Sequence, residues 1–225
     1  MNPTFRKQVP EMTAILHSSA HRWVYVSLTG AILGILAQFL RQVPGALMYL
    51  GASTAPWVMV GFLFAVSASR GVPTPRKAIL VATGTIAAYL LAWLVSYHLL
   101  FVLRESVSLA AGWRQAAPWI VAAVPASPIL GTIAALSHKR GILGDVCLAV
   151  PIAWSLPESL KSLTEGWLVG TAVITPVALF AAMLIHMAIN ERRVRAITLL
   201  ATVVTLGALG IALFPVVWYL FLGRF

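Results

Sequence analysis

Long apolar runs, separated by short segments that contain charged residues, proline and glycine, dominate the sequence. A helix that crosses a bilayer needs about 20 apolar residues, whereas a membrane β-strand alternates polar and apolar positions over about ten. The uninterrupted runs therefore predict an all-α, polytopic membrane protein with seven transmembrane helices in a single domain, residues 1–225. The predicted helices are Trp23–Leu40, Ala46–Ala68, Ala78–Leu103, Ala116–Ser137, Ile142–Leu160, Trp167–Ile189 and Ala196–Leu222.

The composition excludes the main alternatives to a membrane protein. Hydrophobic residues make up 60% of the chain and charged residues only 10%, and the mean hydropathy is +0.91. Water-soluble domains carry about a quarter charged residues, and disordered chains are poor in apolar ones. The one cysteine, Cys147, cannot form a disulfide within its own chain. A soluble domain, a disordered chain and a disulfide scaffold are all excluded.

The distribution of basic residues predicts the orientation in the membrane. The net charge of +10 would suggest a nucleic-acid partner in a soluble chain, but lysine and arginine collect in the cytoplasmic loops of membrane proteins. With seven spans, 11 basic residues fall on the side of the N-terminus and 5 on the other side. We therefore expect a cytoplasmic N-terminal segment, residues 1–22, without a cleavable signal peptide, an outer C-terminus and no nucleic-acid partner.

Two glycine pairs have the spacing that lets helix backbones approach closely, namely Gly30/Gly34 and Gly166/Gly170. Packing within the bundle is the interpretation we favour for each pair, with dimerisation as the alternative. The sequence leaves the oligomeric state open.

Glu158 is the carboxylate that the sequence singles out. It follows Pro157 near the predicted outer end of a span, and ionisable residues inside spanning helices commonly mark functional sites. We expect a buried acid that stays protonated and can donate, beside a helix that Pro157 kinks or breaks. The alternative is an interfacial carboxylate that pairs with Lys161. Glu165, at the start of the next predicted span, is the candidate for a second acid or base.

Aromatic residues form a second pattern on the same predicted side of the membrane. Seven of the eight tryptophans fall in the outer half or the outer loops. Tyr89, Trp93 and Tyr97 recur at every fourth position, so they lie along one face of a helix. Trp154 precedes Glu158 by four residues and is predicted to share its face. Aromatic walls around one acid suit the protonation of a hydrocarbon, because ring faces stabilise cations. The predicted pocket is lined by Trp57, Tyr89, Trp93, Tyr97, Trp119 and Trp154.

Other chemistries have little support in the sequence. The five histidines show no pairing typical of a metal site, and His98 is expected to be a packed neutral side chain rather than an assisting acid. There is no phosphate-binding glycine loop and no aspartate cluster that would hold Mg²⁺ and a diphosphate. We therefore expect no metal and no cofactor.

Three short segments resemble the small actinobacterial integral-membrane terpene cyclases of the drimentine indole-sesquiterpenoid type. They are Ala55-Pro56-Trp57, Ser127-Pro128-Ile129-Leu130-Gly131 and Pro157-Glu158, within a seven-helix chain. The resemblance implies a protein of the bacterial cytoplasmic membrane that cyclises a prenylated, farnesyl-type substrate by protonating a terminal alkene or epoxide. Glu158 would then be the proton donor. Fungal membrane cyclases use two membrane carboxylates, and the predicted second and seventh helices here contain none, so the final base stays open between Glu165, Tyr97 and water.

The alternative hypothesis is a membrane protein that binds or transports a small apolar solute. It would use the same aromatic pocket without chemistry, and Glu158 would bind a ligand cation or a proton. A scaffold protein with no pocket is the third possibility.

Overall fold

A computed structural model describes residues 19–44, 46–139, 141–164, 176–177, 181 and 196–217. Within these residues the chain forms seven bounded helices and no strand. They are α1 (Ser19–Leu40), α2 (Ala46–Ala52), α3 (Ala55–Ser69), α4 (Pro75–Glu105), α5 (Leu109–Leu136), α6 (Ile142–Thr164) and α7 (Ala196–Val217). The predicted all-α class is therefore confirmed for the described part of the chain.

Four of the described helices are long and apolar enough to cross a membrane. They are the segments His21–Leu40, Pro75–Glu105, Leu109–Leu136 and Ile142–Ser159. The apolar segments Ala55–Ser69 and Leu199–Ala212 are shorter. The predicted span Trp167–Ile189 lies largely outside the described residues, as does the end of the last predicted span. The helices present the composition of a membrane protein.

The predicted helix Ala46–Ala68 is wrong in one respect, because the chain breaks within it. Helix α2 ends at Ala52 and α3 begins at Ala55, with Ser53 and Thr54 between them. Pro56 lies in the first turn of α3, where its missing N–H costs little. In a continuous helix, the same proline would lose its hydrogen bond to the carbonyl of Ala52 and would clash with it. The apolar run therefore contains two helices.

Helix α4 is the centre of the bundle and packs against α1, α3 and α5. Helix α1 lies so close to α4 that a Cβ atom at Gly30 would meet the carbonyl of Tyr89, and one at Gly34 would meet the carbonyl of Trp93. The prediction that Gly30/Gly34 is a packing pair within the bundle is confirmed. The second pair, Gly166/Gly170, lies outside the described residues.

The prediction that Pro157 kinks or breaks its helix is wrong as to a break. Helix α6 continues from Ile142 to Thr164 through Pro151 and Pro157. Helix α5 likewise runs unbroken through three prolines. The helix break beside the Glu158 side chain therefore lies between α2 and α3, at Ser53 and Thr54, and not at Pro157.

Candidate functional site

The Glu158 side chain reaches from α6 to the break between α2 and α3. The Ser53 hydroxyl donates to Oε2 at 2.6 Å, and the Thr54 hydroxyl donates to Oε1. The backbone N–H of Thr54 lies 3.2 Å from Oε1 and 3.1 Å from Oε2, and that of Ala55 lies 3.1 Å from Oε2. Two hydroxyls and two backbone amides thus converge on one half-buried carboxyl group.

This arrangement follows from the free N–H groups at the start of a helix. The first amides of a helix have no partner within it, and the helix dipole favours negative charge there. Thr54, the residue before α3, makes no side-chain cap of its own, because its hydroxyl donates to Glu158. The carboxyl group of one helix therefore caps another helix about 100 residues earlier in the chain.

Helix α7 packs against the segment of α6 that carries Glu158. A Cβ atom at Gly210 would lie 2.9 Å from Cγ of Pro157, which shows how closely the two helices approach. Pro157 therefore packs against α7, and the side chain of the next residue, Glu158, extends to the start of α3.

Three of the predicted aromatic residues form a continuous stack. The rings of Trp57 and Trp93 lie 6.4 Å apart at an interplanar angle of 24°. Those of Trp93 and Tyr97 lie 5.3 Å apart at the same angle. The orientation of the Trp57 ring is fixed by a hydrogen bond, since its indole N–H donates to the carbonyl of Leu50 at 3.1 Å. We call Trp57, Trp93 and Tyr97 the aromatic column.

The aromatic column begins beside the carboxyl site. Trp57 lies in the first turn of α3, and the amides of Thr54 and Ala55 at the start of that turn hold Glu158. The helices α3, α4 and α6 thus bring an acid and two tryptophans to one helix end. The sequence did not show that these helices converge. Its patterns place a residue on one face of its own helix, but they do not show which other helix packs against that face.

The remaining predicted residues lie in several environments. Tyr89 is fully buried one turn below the column, with its ring 6.1 Å from that of Phe64. Trp119 is half-buried and packs against the hydrophobic core. Trp154 is 55% exposed and contributes no ring to the column, although it lies one turn from Glu158. Glu165 and the side chain of Lys161 lie outside the described residues, so neither can be placed relative to the carboxyl site.

Residues at the far end of the column were not predicted as part of the site. An Arg41 guanidinium N–H donates to the Tyr97 hydroxyl at 3.1 Å. The His98 ring lies edge-on to Tyr97 at 5.2 Å and is buried. Ser53 and Thr54 were missed as well, since nothing in an apolar run marks two small polar residues as partners of a distant acid. Pro56 was the available signal of a break.

The described residues contain no group of three histidine, cysteine, aspartate or glutamate side chains that could hold a metal ion. The donors around Glu158 are hydroxyl and amide groups, which interact with a carboxyl group directly. The arrangement is suited to holding an acid in one orientation.

No protein-family model, curated protein or solved structure matches this chain.

Proposed function

We propose that the chain is an integral-membrane terpene cyclase that protonates a terminal alkene or epoxide of a farnesyl-type substrate. The observation that carries the proposal is that the first turn of α3 holds the Glu158 carboxyl group at its first amides and also carries Trp57, the first ring of the aromatic column. Protonating an alkene requires an acid in an apolar site, and the resulting cation requires electron-rich surfaces that do not react with it. Both groups are present at one helix end.

Glu158 is the proton donor in this mechanism. Its proton forms a new C–H bond with the terminal alkene carbon, and the electron pair of the double bond is consumed. The carboxylate that remains is then stabilised by the hydroxyls of Ser53 and Thr54 and by two backbone amides. Donors already aimed at a group that gains negative charge lower the barrier, because they need no reorganisation during the reaction.

The cation formed at the neighbouring tertiary carbon is attacked by the next double bond, which closes a ring through a new C–C bond. The outer faces of the two end rings, Trp57 and Tyr97, stabilise the positive charge by about 0.5–2 kcal/mol per ring, and Trp93 holds these two rings in position by stacking between them. Loss of a proton to a base ends the reaction, so that the product has the elemental composition of the substrate. Glu165, the Tyr97 hydroxyl, water and the Glu158 carboxylate are the candidate bases. The reaction requires no cofactor.

We also propose the number of membrane spans and the side of the membrane on which each terminus lies. Seven spans, with a cytoplasmic N-terminus and an outer C-terminus in a bacterial cytoplasmic membrane, place Glu158 and the column in the outer half of the bilayer. The split of 11 basic residues against 5 supports this orientation. Substrate would then enter from the lipid phase.

A second candidate function is the binding or transport of a small apolar solute. The break between α2 and α3 favours it, because discontinuous helices form the substrate and ion sites of many transporters. Glu158 would then bind a proton or a ligand cation, and the ligand would leave unchanged.

The decisive experiment incubates the purified protein in detergent with farnesyl-bearing aromatic substrates, one with a terminal alkene and one with a terminal epoxide. Wild type is expected to form a product of unchanged mass, resolved by chromatography and mass spectrometry. Glu158→Gln should lower the rate by about 10²–10⁴-fold, the usual contribution of a general acid. Glu191→Gln is the matched control. Glu191 precedes Arg192 and Arg193, between the predicted spans Trp167–Ile189 and Ala196–Leu222, in a loop predicted to be cytoplasmic.

Folding and chemistry are separated by thermal unfolding of each variant in the same detergent. A folded wild type that converts neither substrate would contradict the cyclase proposal. Uptake of apolar solutes into proteoliposomes that depends on Glu158 would then support the transport alternative.

A further inference from the structure

A polar cleft with a volume of about 250 Å³ lies where α1 and α4 end. Gln38 is in the last turn of α1 and Arg41 follows that helix, while Phe101 and Glu105 belong to the end of α4. Both helices are candidate membrane spans that end here, at Leu40 and Glu105. The cleft therefore lies at the level where a spanning helix meets the lipid headgroups. It is lined by Gln38, Arg41, Gln42, Phe101 and Glu105.

Gln38, one of the lining residues, carries a buried acceptor that has no partner among the described residues. Gln38 is only 2% exposed, and its side-chain oxygen makes no hydrogen bond within the described part of the chain. A buried polar atom without a partner is costly, so an acceptor in this position favours a ligand that donates to it.

The cleft also presents two opposite charges that are not paired with each other. Arg41 donates to the Tyr97 hydroxyl, and among the described residues neither Arg41 nor Glu105 forms an ion pair. A guanidinium binds phosphate or carboxylate, whereas a carboxylate and an amide oxygen together accept hydrogen bonds from an ammonium group. The lining thus complements a molecule that carries both charges a short distance apart.

We infer that this cleft binds a zwitterion that joins an anionic group to a primary ammonium, and that its source is the phosphoethanolamine headgroup of a membrane lipid. The phosphate lies against Arg41, and the ammonium donates to the Gln38 oxygen and to Glu105. Two aromatic side chains offer a flanking apolar surface for acyl chains, since Phe101 lines the cleft and Phe39, in the last turn of α1, is 50% exposed. The inference does not depend on the cyclase proposal.

The headgroup is tested first by lipid exchange. The full chain is purified in detergent and titrated with phosphatidylethanolamine, phosphatidylcholine or phosphatidylglycerol of identical acyl chains, and bound lipid is counted by native mass spectrometry. We expect phosphatidylethanolamine to bind about tenfold or more tightly, because a quaternary ammonium has no N–H to donate and a glycerol headgroup has no positive charge. Equal binding of the three lipids would overturn the assignment.

The lining is tested with two variants and a matched control. Glu105→Gln and Arg41→Gln each remove one charge from the cleft and should weaken phosphatidylethanolamine binding by about fivefold or more. Arg114→Gln removes an exposed positive charge from α5, and should leave binding unchanged. Unaltered binding by both cleft variants, with folding confirmed by thermal unfolding, would refute the site.

Soluble phosphoethanolamine distinguishes the two sources of the same chemistry. If the lipid is the ligand, the free headgroup should bind far more weakly, because it lacks the acyl chains that contact the flanking apolar surface. Equally tight binding of the free compound would retain the zwitterion site but overturn the lipid as its source.

Discussion

The hydroxyl of Ser53 should stabilise the fold through Glu158, and this coupling can be measured. Its hydrogen bond to the carboxyl group is 2.6 Å long and lies in a half-buried site. A hydrogen bond within a protein contributes about 0.5–1.5 kcal/mol. Ser53→Ala removes that bond but keeps the backbone and the neighbouring donors. We therefore expect the free energy of unfolding to fall by about 0.5–1.5 kcal/mol.

A double-mutant cycle with Glu158→Leu isolates the interaction. Once the carboxyl group is gone, Ser53→Ala should cost only a few tenths of a kcal/mol, so the coupling energy should be about 0.5 kcal/mol or more. Reversible unfolding in mixed micelles, followed by tryptophan fluorescence, supplies the four free energies. Ser96→Ala is the matched control, because that hydroxyl donates to the carbonyl of Ala92 within its own helix. It should cost less than about 0.5 kcal/mol.

An equal cost of Ser53→Ala in the presence and absence of Glu158 would show that the two side chains are not coupled. That result would mean that the α2–α3 break is held by other contacts. The carboxyl group would then not be an essential cap of α3.

Three further substitutions test the rest of the site. Gly34→Leu should destabilise the protein by about 1–3 kcal/mol or prevent folding, since its side chain would enter the backbone of α4 at Trp93; expression and thermal unfolding measure this. Trp93→Leu should remove the middle ring of the aromatic column, so it should lower any cyclisation rate more than Tyr97→Phe, which keeps its ring. The rate of product formation is measured by mass spectrometry, and wild-type rates in both variants would contradict this prediction. Trp154→Leu should change stability by less than about 0.5 kcal/mol, because the side chain is 55% exposed; a large loss in unfolding free energy would be inconsistent with that position.

The sequence determined the features that depend on neighbours along the chain. Apolar runs of about 20 residues indicated helices of membrane type, because each helix satisfies its own backbone hydrogen bonds and needs only a length and a composition. The spacing of Trp93 and Tyr97 placed them on one face of α4, where they stack. The Gly30/Gly34 spacing predicted close helix packing for the same reason. In each case the helical repeat converts sequence spacing directly into position.

Other features depend on contacts between distant segments. Ser53 and Thr54 belong to an apolar run, and only the approach of α6 makes them donors to Glu158. Trp154 shares a helix with Glu158, yet its exposure depends on the rotation of α6 in the bundle. In the sequence, Arg41 resembles any basic residue of a loop. Its hydrogen bond to Tyr97 forms only because the end of α4 lies beside it.

The physical reason for this division is the range of the interactions. Hydropathy, helix periodicity and the backbone effect of proline act over a few residues, so they can be read from sequence. The rotation and crossing of helices are decided by side-chain packing across the whole bundle, where many similar apolar faces compete. The packing of the bundle therefore determines that Glu158 caps α3 and that Trp57 stacks on the two rings of α4.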